Sequence, residues 1–471
     1  MDHSTPPSPS EGAQKYIDRA NKALEVRKQD IVRAKKRRFD TIAVHGLYTA
    51  TEAIEKNQGA IIEPVFASSG QAYRDSDEME AAQTGAIPTW AYIRIHNPTL
   101  GYLEDTLALL ESYGTDVDAG CVVYSSGMAA IENMSDTLLV RQGNEPLNFV
   151  AQCQIYGGTY QQFNVRKMQE RGIEVRWILD PNNIDEWKSK IDKHTRFLYG
   201  ELPSNPGLVF FDLKKAIDLA HEHGLPYVAD STIATPALMR PFAYGADIVV
   251  HSVTKTMSSS GTGTAGAILA RKPIVTNIPN DRMKADFCTY LREYPHRDQG
   301  GCLHPFQALS TMGDLRTLRT RIDVWSQSAL KVALFLKQQP GVTDVNYLGL
   351  EDHPLHSVAS KYLWLVDSEH DERYGKKVNR YGHLLSFRIK AGPQAARKVF
   401  DKLQLIMRVT DLGRVKSIAT IPSISTHLQQ GEESRKMAHI PPDLIRLSVG
   451  AEHPDDIIAD VEQALGATKG F

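Results

Sequence analysis

The sequence predicts an α/β protein, with a large, mostly parallel-sheet domain followed by a smaller α+β domain and preceded by an N-terminal arm. Two observations carry this. From about residue 97, short apolar runs of strand type alternate with longer helical stretches, the pattern of repeated strand–helix units. Near residue 310 the alternation gives way to one long helical stretch and then to isolated strand-like runs.

Taken in order, residues 1–12 (MDHSTPPSPSEG) are rich in Ser and Pro and read as a disordered tail. Residues 14–40 turn helical and basic, closing on Arg33-Ala-Lys-Lys-Arg-Arg38. A basic arm can touch nucleic acid, but a solvated helix face or a subunit-contact arm is the favoured reading. A looped stretch runs through Phe66-Ala-Ser-Ser-Gly70 to Tyr92. Residues 103–113 predict a helix, and residues 120–124, 148–151, 175–178, 196–199, 226–229 and 247–250 predict strands, with a helix over 213–223. The long helix covers 315–339, and 382–389 and 445–449 predict strands of the last domain. The expected division is therefore 1–96 arm, 97–310 large domain and 311–471 C-terminal domain.

At 471 residues the chain can bury a large core. A formal charge of −2 gives no electrostatic reason to expect nucleic acid or a membrane as partner. The four cysteines, Cys121, Cys153, Cys288 and Cys302, form no CxxC pair, which fits a reducing compartment. The first residues show no signal-peptide pattern, and no apolar run approaches the ~20 residues of a membrane helix. A cytoplasmic protein is expected.

Open α/β sheets bind ligands beyond the carboxyl ends of their strands. The run 226–229 ends in Asp230, 247–250 leads into His251-Ser-Val-Thr-Lys255, 196–199 ends near Glu201 and Asn205, and 121–124 ends in Ser125-Ser126-Gly127-Met128. Together these answer the needs of pyridoxal 5′-phosphate (PLP). Its aldehyde requires an amine for a Schiff base, which Lys255 offers. Its pyridine nitrogen must stay protonated to act as an electron sink, and Asp230 is the facing carboxylate. Its phosphate suits the N–H groups of Ser126-Gly127-Met128 at a helix start, with the hydroxyls of Ser252 and Thr254. Gly127 would let backbone approach closely, and Tyr156 would cover the ring. Each residue alone has a blander explanation: a surface lysine, a turn aspartate, an N-cap serine, a core tyrosine. Their joint occurrence in this order makes those explanations improbable.

The segments Val228-Ala-Asp-Ser-Thr-Ile-Ala-Thr-Pro-Ala-Leu-Met-Arg-Pro241 and Gly245-Ala-Asp-Ile-Val-Val-His-Ser-Val-Thr-Lys255 resemble the signature of the Cys/Met-metabolism PLP enzymes. The likeness extends beyond about residue 40 through Tyr92-Ile-Arg94, Asn97-Pro-Thr99, Ser126-Gly-Met-Ala-Ala130, Tyr156-Gly-Gly-Thr159, Asn205-Pro206, Ser423-Ile-Ser-Thr-His427 and Arg446-Leu-Ser-Val-Gly450. It implies PLP fold type I. It also implies that Lys255 both holds the cofactor and moves protons, with Tyr156 and Tyr92 as candidate relays. Tyr92 and Arg94 match residues that reach a neighbouring subunit's phosphate, so a homo-oligomer, typically a tetramer, is implied. Arg446 matches the arginine gripping the substrate carboxylate, Ser417 the residue supporting that grip, and Asn205 the neighbour of the pyridine hydroxyl.

Departures are local. Family members usually follow the lysine with an aromatic residue and a Gly-His pair, whereas this chain reads Lys255-Thr-Met-Ser-Ser-Ser-Gly261. Residues 261–266 satisfy GxGxxG, but neither a leading strand nor a following helix is expected, so a dinucleotide site is rejected. His221-Glu-His223 has the wrong spacing for a zinc motif, and no metal is expected. Tyr156 precedes Gly-Gly where methionine γ-lyases usually carry Gly-Cys. Lys416 stands where those enzymes and cystathionine-handling members commonly have Glu. O-acetylhomoserine sulfhydrylases resemble this chain there and in Pro442-Asp-Leu-Ile-Arg446. The resemblance, closest to O-acetylhomoserine sulfhydrylase and cystathionine γ-synthase, thus implies γ-replacement on an O-activated homoserine, most plainly O-acetylhomoserine, by a sulfur or carbon nucleophile. A β- or γ-lyase acting on methionine or cystathionine is the alternative, and a non-catalytic binding protein a more distant one.

Overall fold

In the structure, a computed structural model, residues 8–83, 91–141 and 143–466 are described. The expected tail at 1–7 lies outside them, as does part of the looped stretch before Tyr92. The tail reading is corrected at its end. A helix, Glu11–Ala34, already starts there, because the Ser10 hydroxyl caps it by accepting from the Ala13 N–H. Ala13 and Ile17 of this helix pack against Ala81. Of the basic run, Lys35 donates to the Val117 carbonyl at 2.6 Å, while Lys36, Arg37 and Arg38 face solvent.

Seven strands form the larger sheet: β1 (Ala119–Tyr124), β2 (Asn148–Gln152), β3 (Glu174–Ile178), β4 (Thr195–Glu201), β5 (Tyr227–Asp230), β6 (Ile248–His251) and β7 (Gly266–Arg271). Their order is β1-β7-β6-β5-β4-β2-β3. β2 to β6 are mutually parallel, and β7 is antiparallel to both β6 and β1. Every residue of β2, β4, β5 and β6 is buried, which is why these strands read as continuous apolar runs. After β3 the chain returns to place β4 on the other side of β2, and the winding then proceeds the opposite way. That reversal opens a crevice at the carboxyl ends of β2 and β4.

β7 was not expected from the sequence. It begins inside the GxGxxG run, whose glycines serve packing: a Cβ at Gly266 would lie 2.1 Å from the Ser126 carbonyl oxygen, and one at Gly263 1.8 Å from Gln307 Oε1. His221 is likewise accounted for, since its Nε2 bonds the Asp247 carboxylate at 2.8 Å. The helix expected at 103–113 runs over Pro98–Glu111; it starts earlier because Asn97 caps it and Pro98 suits its first turn.

The helix Pro305–Leu315 spans residue 310, and Leu318–Lys337 follows it. A second sheet then forms from β8 (Val342–Asn346), β9 (Leu384–Ile389), β10 (Met407–Arg408), β11 (Ile418–Thr420) and β12 (Leu444–Ser448), in the order β10-β11-β12-β9-β8. Its apolar face packs on Ala396 and Val399 of one helix and Ile457 and Val461 of another. No helix among the described residues is long and apolar enough to cross a membrane.

Candidate active site

Parallel pairing of β4 with β5 sets Glu201 beside Asp230 at the strand ends. Glu201 accepts from the backbone N–H groups of Tyr156 and Asn205, each at 2.7 Å, so it fixes the loops after β2 and β4. Asp230 accepts from the Tyr199 hydroxyl at 3.2 Å and the Thr232 N–H at 3.0 Å. The two carboxylates are only 3% and 6% exposed, and neither joins an ion pair among the described residues. Burial first, and for Glu201 the charge of Asp230 next, push both groups above the usual carboxylate range.

Beyond β6 the chain makes a tight turn in which the Lys255 N–H donates to the Ser252 carbonyl at 3.1 Å. The Ser252 N–H donates to Thr232 Oγ1 at 2.8 Å, tying this turn to the loop after Asp230. Lys255 Nζ lies 2.6 Å from Asp411 Oδ1. Burial lowers the affinity of this amine for its proton and the Arg414 and Arg446 charges add to that; Asp411 opposes, and the balance falls below the ordinary lysine value.

The helix Gly127–Leu138 opens beside this turn. Ser126 caps it, its hydroxyl accepting from the Ala129 N–H, while the N–H groups of Gly127 and Met128 have no acceptor among the described residues. A Cβ on Gly127 would lie 2.7 Å from the Ser252 Cβ, so the glycine is what lets Ser252 lie against the helix start. Tyr156 precedes the short helix Gly157–Gln161. A Cβ on Gly157 would lie 2.1 Å from the Thr426 carbonyl oxygen, and one on Gly158 would lie 2.5 Å from the Tyr156 ring and 3.2 Å from Met128 Sδ. Gly157 therefore lets this turn lie against Thr426, and Gly158 leaves room for the Tyr156 ring.

Arg446, on β12, is fully buried. It donates to Asn205 Oδ1 at 2.8 Å and to the Asp411 and Thr410 carbonyls at 2.6 and 3.3 Å, but its Nε has no partner. Burial lowers its pKa to about 10. Hydrogen bonds thus run from Tyr156 through Glu201, Asn205, Arg446 and Asp411 to Lys255.

Two of the expected hydroxyls have partners within the chain. Thr254 spends its hydroxyl on Ala265, donating to the carbonyl and accepting from the N–H, both at 2.9 Å. It holds the lysine turn to the segment entering β7. Ser417 donates to Glu452 at 2.8 Å and accepts from the Gly450 N–H, and Arg446 is held by Asn205 and two carbonyls. Tyr92 is 45% exposed. Arg94 lies over its ring and donates to the Arg297 carbonyl, while the Lys255 amine bonds Asp411. Sequence reasoning missed Asp411 and Arg414, whose only local sign is an i,i+3 pair of opposite charges, and it left Glu201 without a role.

Chemically, the crevice offers a buried carboxylate for a cationic ring nitrogen and free helix-start N–H groups for a phosphate. It also offers an amine for an aldehyde and an unpartnered guanidinium edge for a carboxylate. A sequence profile of the family described as Cys/Met metabolism PLP-dependent enzyme matches residues 40–466. A homocysteine synthase of Schizosaccharomyces pombe is 32% identical, covering 91% of this chain and 98% of that protein. An L-methionine gamma-lyase of Pseudomonas deceptionensis is 34% identical, covering 91% and 97%. Among solved structures, a Campylobacter jejuni protein proposed to be an O-acetylhomoserine (thiol)-lyase, which carries a pyridoxyl-lysine phosphate, superposes with a TM-score of 0.80. It is 31% identical and covers 91% of this chain and all of its own. With its match over nearly the whole chain, the protein belongs to the Cys/Met metabolism family of PLP-dependent enzymes.

Proposed function

We propose that the protein catalyses γ-replacement on an O-activated homoserine, with O-acetylhomoserine as the activated form and a sulfur or carbon nucleophile as the second substrate. The carrying observation is at Gly158. Methionine γ-lyases usually have Cys there, and here a Cβ would collide with the Tyr156 ring at 2.5 Å. Relatives named homocysteine synthase and O-acetyl-L-homoserine sulfhydrylase support the same reading.

PLP, held through Lys255, supplies the electron sink. Asp230 would keep the ring nitrogen protonated, Tyr156 would cover the ring, and Gly127, Met128 and Ser252 would hold the phosphate. Asn205 would lie beside the pyridine hydroxyl. Arg446 would take the substrate α-carboxylate on its unpartnered Nε edge. The Lys255 amine, once displaced by the substrate amine, would remove the α proton and shuttle protons at the β carbon, with the Tyr156 and Tyr92 phenols as relays. Tyr92 and Arg94 are assigned to a neighbouring copy's site, making the working unit a homo-oligomer, a tetramer of catalytic dimers. The division at 1–96, 97–310 and 311–471 and a cytoplasmic location belong to the same reading.

Mixing the purified protein with O-acetylhomoserine and sulfide should yield homocysteine. Release of a 2-oxo acid and ammonia from methionine or cystathionine without added nucleophile, and no homocysteine from the mixture, would replace this reading with the lyase one, to which the methionine gamma-lyase relative points.

A further inference from the structure

We propose that Asp411 and Arg414 are a positioning pair for Lys255: Asp411 holds the lysine amine whenever that amine is not bonded to the cofactor, and Arg414 pins the Asp411 carboxylate to the lysine's own turn. The inference rests on the reading of Lys255 as the cofactor lysine. Both residues lie in the loop between β10 and β11. Asp411 Oδ1 is 2.6 Å from Lys255 Nζ, and Asp411 Oδ2 is 2.5 Å from Arg414 Nε. The Arg414 guanidinium also donates to the carbonyls of Thr254 at 2.7 Å and Ser258 at 2.8 Å, on either side of the lysine.

The segment that departs from the family pattern, Thr256 to Gly261, is what receives this arginine. The Val415 N–H donates to the Ser259 carbonyl at 3.1 Å, and a Cβ on Gly413 would lie 2.6 Å from the Thr256 nitrogen. The Thr256 hydroxyl bonds the buried His383 at 2.9 Å. The loop and the lysine turn are thus packed as one unit, with the carboxylate aimed at the amine. Because Arg446 holds the Asp411 carbonyl at 2.6 Å, a substrate carboxylate on Arg446 would bring the α carbon close to a lysine held by Asp411. The charged and titratable groups facing the amine are Asp411, Arg414 and Arg446, with Tyr156 facing Asp411 and Arg446, and Glu201 and Asp230 beyond.

The test is read on the cofactor-free, full-length chain. Lys255 is pulse-labelled with acetic anhydride across a pH series and its peptide is quantified by mass spectrometry; the side chain is 24% exposed and within reach of the reagent. Only the neutral amine reacts. Asp411→Asn removes the opposing charge, so less of the amine carries a proton and labelling near neutral pH should rise by about tenfold, whereas Asp411→Glu should stay within about threefold of the parent. Arg414→Gln should raise labelling in the same direction but by less, because the unpinned carboxylate no longer holds the amine, and should give no such rise in the Asp411→Asn background. Labelling of Asp411→Asn or Asp411→Glu outside those expectations, or an Arg414→Gln rise that is as large in the Asp411→Asn background, as a merely loosened loop would give, overturns the pair. A parent protein that never takes up PLP would overturn the proposed function instead and leave the labelling result standing.

Discussion

At the ends of β4 and β5, Glu201 and Asp230 are buried side by side with neutral donors only. In the loop between β10 and β11, Asp411 faces two cations, Lys255 and Arg414. Burial raises all three carboxylates, but for Asp411 the lysine and arginine outweigh it and leave the group below the usual range. The first region carries unmatched negative potential and is completed by an incoming cation, as a protonated pyridine nitrogen would be. The second is already balanced within the chain, and its work is to hold a side chain in place. A buried carboxylate without a partner is costly, so the first arrangement is kept for what it binds.

The largest effect should follow removal of the group that both a cofactor and Asp411 engage. Lys255→Ala should lower turnover by at least about a thousandfold and abolish the borohydride-fixed PLP adduct; an adduct on another lysine would break the assignment. Next, Asp230→Asn should cost about a hundredfold in turnover and weaken PLP affinity measurably by fluorescence titration. If Asp411→Asn weakens PLP binding as much, the contrast between the two regions is lost. Smaller again, Arg446→Lys should raise KM for the amino-acid substrate by about tenfold or more with PLP binding intact, since an ammonium cannot reproduce the planar fork.

The smallest effect is in pH dependence. Asp230, and Glu201 beside it, hold their protons more tightly in the folded chain than in the unfolded one. That stabilisation is fully present below about pH 4 and is lost as pH rises through the raised values. Cofactor-free Asp230→Asn should therefore gain on the parent as pH rises above about 4, by about 1–3 °C in Tm. PLP binding should produce a gain of the same sign in the parent. A gap between variant and parent that stays constant with pH would mean that Asp230 is matched by a charge within the chain.

Much of the large sheet was legible because parallel strands buried on both faces read as short apolar runs. β5 and β6 ended where expected within about a residue, which put Asp230 and Lys255 at adjacent strand ends. β7 was obscured by the glycines at its start, and β10 and β11, of two and three residues, are too short to leave a period. The expected cofactor fit the geometry, and membership of the Cys/Met metabolism family followed from nearly the whole chain. The partners that the hydroxyls of Thr254 and Ser417 find within the chain were not legible. Serine and threonine bond whatever lies nearest, and what lies nearest is settled by packing.

Residue order alone determined which groups stand at the strand ends, since a lysine four residues past β6 or an aspartate closing β5 is a covalent fact once the strands are recognised. Only the folded chain decided what each group faces. Asp411 is 156 residues from Lys255 and Arg446 is 241 residues from Asn205. Contacts closed over such separations leave no trace in local periodicity, because they depend on how two sheets and the loops between them pack.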